Sequence, residues 1–459
     1  MKGFGDNNKS KIKVNEKIQS NLNKEEILNK AFQCHSRGNI AEASKYYQFF
    51  INQGFKDHRV FLNCGEILKD LGKLKEAEIW IRRAIEIKPD YALAYNNLGT
   101  ILTSLNKLKE AESCFHKVIT INPNLTATYV NLANLPYSEV NKVWQSKLFS
   151  ESFLKNKSKN DQLNIYFARS NILHKQNSYK ESAKCLKLAN QLKISLYPSN
   201  SEAIISKSEL LLLESDQVSF IRKKEKNYPQ NIFIVGMPRS GSTLIETIIS
   251  MNNKVIDLGE INILERSFKK WKENKMKNDL DDFYMQTIKK FQCNITTNKY
   301  LSNYQYAGII SKYIPNSKII HCFRNPLDNI LSIYRANFAK GNEYSSALID
   351  SAKVYLNQET VMNEYKKRFK AKIYDINYDS LVTNPNKEIK SLISWLGWKW
   401  KDQYLSPHLN PRSVSTASNV QVRSPINSKS IKGWKNYKEM LKPAMEIITQ
   451  DNKYKDLRY

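Results

Sequence analysis

One short segment, residues 232–243, places the strictest limit on how this chain can fold. Its first four residues are apolar and partly β-branched, which is typical of a buried strand. A loop punctuated by Gly236 and Gly241 follows, and residues 244–250 continue with helical spacing. A strand, a glycine loop and a helix start in this order point backbone N–H groups and a positive helix end at one anion. The segment therefore predicts an α/β domain with a phosphate-like ligand at this loop.

The loop differs from the phosphate-binding loop of ATPases at one position. Gly236 and Gly241 have the spacing of a Walker A motif, and Thr243 fills its last position. Ser242 stands where that motif has lysine, and Arg239 supplies the cation of the loop instead. We therefore expect a phosphate-like group that is bound differently from ATP. The expected ligands are Arg239, Ser240, Gly241, Ser242 and Thr243.

A second strand-like run lies at residues 318–324 and ends in Arg324. Asn325 and Pro326 follow it, and the helical pattern after them carries Ser332. An arginine at the carboxyl end of a strand and a serine on the next helix suit a second phosphate. Since both loops follow strands of one predicted parallel sheet, the sequence indicates a ligand that is phosphorylated at two places.

The chain of 459 residues carries a formal net charge of +28, and arginine accounts for only 14 of its 72 basic residues. Nucleic-acid readers usually use clustered arginine or basic patches interleaved with aromatic residues, and neither pattern occurs. We therefore expect no nucleic-acid partner, and the basic surface reflects either compositional drift or attraction for anionic partners. Where lysine is the default cation, a retained arginine suggests bidentate binding. Such arginines near the motifs are Arg239, Arg324, Arg335, Arg412 and Arg423.

The six cysteines and six histidines are scattered, with no Cys-x-x-Cys or His-x-x-x-His spacing. We therefore expect no disulfide framework and no metal, and a reducing, cytoplasmic location. The first 25 residues lack the apolar core of a signal peptide. No run approaches the roughly 18 apolar residues of a membrane span. The sequence thus predicts a soluble chain without a membrane span.

The N-terminal half contains an internal repeat. Similar segments begin at Gly38, Gly72 and Asn106 with a step of 34 residues, and Gly65 and Gly99 share that step. A 34-residue period with small residues inside resembles the tetratricopeptide repeat, a helix–turn–helix unit. A third unit is expected near residues 25–58, and a degenerate fourth turn near 177–183. Stacked units of this kind either contact a protein or peptide or brace the neighbouring domain.

The character of the chain changes at a charged, proline-terminated linker around residues 222–229, after which strand-like and helical runs alternate. The predicted organisation is a polar tail over 1–24, an all-α repeat domain over 25–225 and an α/β domain with a central parallel sheet over 226–459.

The motifs of the second half, over roughly residues 230–440, resemble those of sulfotransferases that use 3′-phosphoadenosine 5′-phosphosulfate (PAPS). They are most similar to tetratricopeptide-repeat sulfotransferases and tyrosylprotein sulfotransferases. The resemblance rests on the loop at 236–243, Gly259-Glu260, Asn298-Lys299, Arg324 with Ser332, and residues 418–425 followed by Trp434. It implies a P-loop-like sulfotransferase domain with PAPS as co-substrate and no metal.

The resemblance also implies a role for each residue. Glu260 would be the general base, and Lys299 and Ser418 would steady the transferring sulfuryl group. The loop from Arg239 to Thr243 would cradle the 5′-phosphosulfate, with Arg239 also assisting the transfer. Arg324 and Ser332 would hold the 3′-phosphate, and Arg423 would add a ligand contact. The acceptor stays open among a saccharide, a lipid, a small molecule and a peptide tyrosine.

The chemistry of sulfuryl transfer agrees with these residues, because it needs a base for the acceptor proton and cations where charge builds on the leaving oxygen. An unperturbed glutamate is a weak base for a hydroxyl, so we expect Glu260 in a partly desolvated pocket. Two alternatives remain: a P-loop kinase, which the serine at position 242 disfavours, and a non-catalytic interaction protein whose repeats carry the function.

Overall fold

The computed structural model describes residues 23–136, 143–217, 228–276, 279–291, 294–338, 341–412, 414 and 421–458. The chain forms two compact units. The first comprises Met1–Phe149 with Ser413–Ser415, and the second comprises Ser150–Arg412 with Thr416–Tyr459. Most of the expected linker lies outside the described residues, and the predicted domain boundary at 225/226 stays a prediction.

The first unit consists of consecutive helices that pair along the chain. They are α1 Lys24–Ser36, α2 Ile40–Asn52, α3 His58–Asp70, α4 Leu74–Ile87, α5 Ala92–Ser104, α6 Leu108–Ile121, α7 Ala127–Asn134 and α8 Val143–Phe149. A methyl group on Gly99 of α5 would run into the ring of Phe115 on α6, and one on Gly65 of α3 would run into Ile81 on α4. The two glycines therefore allow each helix pair to approach closely. This arrangement confirms the predicted helical repeats.

The second unit begins with three helices, α9 Lys159–Lys175, α10 Tyr179–Leu196 and α11 Ser201–Gln217, which pack with the sheet that follows them. The Asn190 amide on α10 donates to the backbone carbonyl of Tyr334 at 2.9 Å. The hydroxyls of Ser208 on α11 and Tyr304 lie 3.0 Å apart. These helices are thus built into the same compact body as the sheet.

A five-stranded parallel sheet forms the centre of the second unit. Its strands are β1 Gln230–Gly236, β2 Val255–Asp257, β3 Ile295–Asn298, β4 Ser317–Phe323 and β5 Ile373–Asn377, in the order β2-β3-β1-β4-β5. Because β1 is flanked by β3 on one side and β4 on the other, the order of the chain reverses there. In sheets of this kind, ligands bind at the carboxyl ends of the strands beside such a reversal.

Alternating residues of the strands pack on opposite faces of the sheet, which buries both. Phe233 and Val235 belong to one apolar cluster, and Ile232 and Ile234 to another. Burial on both faces explains the nearly continuous apolar run of β1. The remaining helices are α12 Ser242–Ile249, α13 Ile263–Glu273, α14 Leu280–Ile288, α15 Ala307–Tyr313, α16 Pro326–Tyr334, α17 Leu348–Phe369, α18 Tyr378–Thr383, α19 Pro385–Leu396 and α20 Lys438–Ile448.

The predicted fold class, helical repeats followed by an α/β domain with a central parallel sheet, is confirmed. Within the described part of the chain, every helix is too short or too polar to span a bilayer.

Gly236 at the end of β1 offers a test of this packing. Its φ of +143° is a conformation that L-residues rarely adopt, and a methyl group there would collide with the carbonyl oxygen of Cys322 on β4. Gly397, with a φ of +80° and open space around it, is a matched control for backbone strain alone. We expect Gly397→Ala to lower the free energy of unfolding by about 1 kcal/mol. Gly236→Ala should cost about 3 kcal/mol because strain and collision add. Equal losses in urea titrations of the two variants would contradict the packing.

Candidate active site

The loop after β1 is a rigid cradle with an unsatisfied hydroxyl. Gly241 starts α12 with a φ of +92°, and a methyl group there would run into the ring of Tyr378. The Asn329 side chain donates to the carbonyl of Pro238 at 3.0 Å and ties the loop to α16. The Ser240 hydroxyl is buried and has no hydrogen-bond partner. A buried hydroxyl without a partner is costly unless a ligand satisfies it, which fits an anion in this loop.

The loop after β4 presents a second cation. Asn325 caps α16 by accepting from the N–H groups of Leu327 and Asp328, at 3.0 and 3.2 Å. Arg324, just before this cap, is only 6% exposed. Its Nη2 donates to the Ser430 carbonyl at 2.8 Å, while its Nε has no partner. The Arg324 guanidinium is therefore held in place with one donor still available.

The two loops meet at the switch point of the sheet. Arg239 Nε donates to the hydroxyl of Ser332 on α16 at 3.1 Å, and Arg324 Nη1 donates to the Arg239 carbonyl at 3.4 Å. Arg239 Nη2 also donates to the Gln421 side chain at 2.9 Å. The structure thus brings Arg239, Arg324 and Ser332 together, although the sequence places them far apart.

Three guanidinium groups concentrate positive charge at this point. Burial, and then the charges of Arg324 and Arg335, lower the pKa of Arg239 to about 10. Among the described residues, neither Arg324 nor Arg335 forms a hydrogen bond or ion pair with a carboxylate. Mutual repulsion of this kind is relieved when an anion binds between the cations.

A second pair of functional groups lies at the ends of β2 and β3. The Lys299 N–H donates to the Gly259 carbonyl at 3.1 Å, and the Asn298 side chain donates to the Ile261 carbonyl at 3.0 Å. These bonds place Lys299 beside Glu260, and its Nζ lies 2.5 Å from Glu260 Oε1. The predicted base and the predicted cation are therefore brought together.

The expected desolvation of Glu260 is not found. The Glu260 side chain is 53% exposed, whereas the Lys299 side chain is 1% exposed. Within this contact the burial falls on the lysine and the carboxylate reaches solvent. The sequence-based prediction of a partly desolvated Glu260 is wrong for this structure.

Glu246 on α12 is a buried carboxylate that the sequence analysis missed. Its Oε2 lies 3.6 Å from Lys299 Nζ, and its Oε1 is buried without a partner. Burial raises the pKa of Glu246 well above its usual value, and Asp257 adds to this against the attraction of Lys299. Burial alone would lower the pKa of Lys299, but Glu246 and Glu260 outweigh it and raise that pKa. The sequence signal that could have identified this residue is the position of a glutamate among the apolar residues of α12.

Other predicted ligands are placed differently. Ser418 lies outside the described residues. The Arg423 guanidinium donates to the backbone carbonyls of Asn410 and Arg412, and no bond among the described residues joins it to the arginine cluster. Gln421, two residues earlier in the same short helix, reaches Arg239 instead. The role predicted for Arg423 in ligand binding stays a prediction.

Residues 428–437 fold against the arginine cluster, and two side chains absent from the predicted set, Tyr378 and Asp328, hold them there. The Tyr378 ring lies 4.7 Å from the Arg324 guanidinium, and its hydroxyl lies 2.8 Å from that of Ser430. The Asp328 carboxylate accepts from the N–H groups of Lys432 and Trp434, at 2.7 and 2.9 Å. The motif around Trp434 is therefore part of the site wall.

Comparison with known proteins agrees with this geometry. Residues 229–402 match the model of the sulfotransferase family, and residues 58–91 and 92–125 each match tetratricopeptide repeat models. These matches lie in the predicted α/β domain and in two of the predicted repeats, in agreement with the resemblance of the sequence motifs.

Two relatives and one solved structure show how far the similarity extends. An uncharacterized protein from Aquifex aeolicus (strain VF5) is 29% identical over 256 residues, which cover 50% of this chain and 34% of that protein. Protein-tyrosine sulfotransferase 2 from Gallus gallus is 24% identical over 257 residues, covering 49% of this chain and 68% of that protein. The sulfotransferase domain from the Synechococcus PCC 7002 olefin synthase is 17% identical, with a TM-score of 0.37, and covers 50% of this chain and 98% of that one. The aligned part spans about a third of the first relative's length.

The buried Glu246 predicts a specific pH dependence of stability. Its folded-state pKa lies above the ordinary value of 4.5, so the folded state binds more protons than the unfolded state above that pH. Stability is therefore lost as the pH rises, by up to about 1.4 kcal/mol per pH unit, until the folded pKa is passed. We expect Glu246→Gln to remove this loss, so that its stability relative to wild type increases as the pH rises above about 5. The exposed Glu273→Gln is the control, and parallel unfolding curves for all three proteins would refute a protonated Glu246.

Proposed function

We propose that the second unit transfers a sulfuryl group from PAPS to a hydroxyl or amine, with Glu260 as general base. The observation that carries this proposal is the meeting of the two arginine-bearing loops at the ends of β1 and β4, together with the contact between Glu260 and Lys299. A ligand with two phosphate-type groups and a reactive sulfur needs this combination. The match to the sulfotransferase family model supports the same reading.

The donor set fits the nucleotide. The loop from Arg239 to Thr243 would receive the 5′-phosphosulfate, since it offers the unsatisfied Ser240 hydroxyl and the start of α12. Arg324, Ser332 and Arg335 would hold the 3′-phosphate, since Arg324 Nε and Arg335 Nε are both buried without partners. The Ser240 hydroxyl lies in the loop after β1, Arg324 Nε lies in the loop after β4, and Arg335 Nε lies at the end of α16, which follows that second loop.

The chemistry follows from the contact between Lys299 and Glu260. PAPS supplies an activated sulfuryl group. The acceptor oxygen or nitrogen forms a bond to the sulfur of that group, and the bond between this sulfur and the bridging phosphate oxygen breaks. Glu260 takes the acceptor proton, and its exposed position leaves it accessible to that acceptor. Lys299 shifts toward the bridging oxygen, where negative charge develops, and Arg239 stabilises the same charge. Burial raises the pKa of Glu246, which disfavours its charged form and so weakens its attraction for Lys299.

Two other functions are less well supported. A P-loop kinase would need a lysine at position 242, where the chain has a serine. A non-catalytic interaction protein would have no need to keep Lys299 buried between two carboxylates, because a buried cation is costly to maintain.

The acceptor is a saccharide, a lipid, a small molecule or a peptide tyrosine, and the repeats of the first unit provide a surface for a protein or for the acceptor. Cys34, Cys64, Cys114, Cys185 and Cys322 are free thiols, which fits a reducing, cytoplasmic location.

Calorimetry with the product nucleotide tests the assignment. We expect 3′-phosphoadenosine 5′-phosphate (PAP) to bind without Mg²⁺, because arginine and serine side chains supply the phosphate ligands. ATP should bind more weakly, with or without Mg²⁺, since its phosphates form one chain and cannot reach both loops. A preference for ATP with Mg²⁺ would favour the kinase, and no binding of either nucleotide would favour the interaction protein.

Glu260→Gln separates catalysis from binding. The variant keeps the size of the side chain but cannot accept the acceptor proton, so we expect transfer of labelled sulfate from PAPS to fall by about 10²- to 10⁴-fold. PAP affinity should stay unchanged, because the arginine cluster is intact. Glu273→Gln, on an exposed helix end, is the matched control and should keep full activity. Near-normal transfer by Glu260→Gln in cell extracts would remove Glu260 from the mechanism.

A further inference from the structure

Arg335 is the third member of the arginine cluster, and it occupies a distinctive position. It caps the C-terminal end of α16 one turn after Ser332, so the two side chains share a face of that helix. Its charge is close enough to Arg239 to lower the pKa of that residue. Its Nε is buried without a partner, as is Arg324 Nε. Arg335 thus lies near Arg239 and keeps a buried donor that no described residue satisfies.

A histidine from the helical hairpin α9–α10 contacts Arg335. Arg335 Nη1 lies 3.0 Å from Nε2 of His174, near the end of α9. His174 Nδ1 lies 2.8 Å from the Tyr437 hydroxyl, and that hydroxyl donates to Ser182 on α10 at 2.9 Å. The His174 and Tyr437 rings also stack, with centroids 5.9 Å apart. The guanidinium is therefore bonded to a histidine that is itself held by Tyr437 from the segment before α20.

The direction of every proton in this chain of contacts can be assigned. A guanidinium only donates, so His174 Nε2 must be the acceptor and the ring proton must lie on Nδ1. That proton is donated to the Tyr437 oxygen, which leaves the Tyr437 O–H to donate to Ser182. Burial, together with the charges of Arg335 and Lys175, lowers the pKa of His174 to about 3, so the ring is neutral near neutral pH. The required tautomer is thus the stable one.

A neutral acceptor matters because it orients the cation without cancelling its charge. A carboxylate at this place would form an ion pair with Arg335 and compete with a bound phosphate. The imidazole instead fixes one N–H of the guanidinium and leaves the positive charge for an anion. Two further bonds hold the hairpin against this end of α16: Asn190 donates to the Tyr334 carbonyl, and Lys193 Nζ donates to the Phe338 carbonyl, both at 2.9 Å.

We propose that His174 is a positioning residue that holds Arg335 toward the 3′-phosphate of the nucleotide, with Tyr437 and Ser182 fixing its tautomer. The hairpin Lys159–Leu196, which sequence periodicity groups with the repeats, thereby becomes part of the nucleotide site. This inference rests on the proposed function, since it assumes a nucleotide with two separate phosphates.

A pair of nucleotides isolates the effect on the second phosphate. PAP and adenosine 5′-monophosphate (AMP) differ only in the 3′-phosphate, so the ratio of their affinities in calorimetry measures its contribution. With the full-length chain, we expect His174→Ala to weaken PAP binding by about tenfold, because the guanidinium loses one anchoring bond. AMP affinity should be unchanged, since the 5′-site is intact. His174→Gln, whose side-chain oxygen can accept from Arg335, should restore most of the PAP affinity.

Two variants that each remove a tyrosine hydroxyl serve as an independent test and as a control. Tyr437→Phe removes the acceptor for His174 Nδ1–H and should lower the PAP affinity selectively, which keeps the test valid if His174→Ala fails to fold. Tyr179→Phe keeps the ring that packs on His174 at 5.5 Å and removes a hydroxyl bonded to Asn177, so it should behave like wild type. An equal loss for PAP and AMP, or no loss for PAP, would overturn the positioning role. Failure of wild-type protein to bind PAP would instead overturn the proposed function and the role of His174 with it.

Discussion

The site depends on the close approach of like charges at the switch point of a parallel sheet. Arg239 follows β1 and Arg324 follows β4, and because these strands are neighbours, their carboxyl ends bring the two guanidinium groups together. Arg335 joins them from the end of α16. Such a cluster is stable only where rigid surroundings hold it, and it favours a ligand that carries negative charge at two points. The glycine turns of the first loop, the asparagine cap of α16 and the tyrosine under Arg324 all provide this rigidity.

Around Lys299, unlike charges meet instead of like charges. Lys299 is a buried cation between two carboxylates, of which Glu246 is deeply buried and Glu260 is open to solvent. The two carboxylates differ in burial, since the buried Glu246 has a raised pKa and the Glu260 side chain is 53% exposed. The lysine is thus kept in the interior while one of its two carboxylate partners reaches solvent.

Residues that belong to one contiguous motif could be predicted from the sequence. Local signals mark the loop around Arg239, the strand end at Arg324, and the pair Glu260 and Lys299. The structure places all of them at the carboxyl ends of the strands of the sheet. The contact between His174 and Arg335 could not be predicted in this way, because 161 positions separate the two residues. The exposure of the Glu260 side chain depends on the packing around it, which has no local signal in a single sequence.

The three helices before the sheet belong to the same compact unit as the sheet. α9, α10 and α11 resemble a continuation of the repeats, yet they form one compact unit with the sheet. Their buried polar side chains, Asn190 and Ser208 among them, bond to groups of the α/β domain rather than to another repeat. A repeat-like hairpin can therefore be incorporated into the wall of a site when its polar residues find partners there.

A crystal structure of the protein with bound PAP would show whether the two loops hold one nucleotide by its two phosphates. We expect the 5′-phosphate in the loop at 239–243, within hydrogen-bond distance of Ser240 and Arg239, and the 3′-phosphate between Arg324, Ser332 and Arg335. The adenosine would then bridge the ends of β1 and β4. Density for the nucleotide elsewhere, or a 3′-phosphate that contacts none of these three side chains, would contradict it.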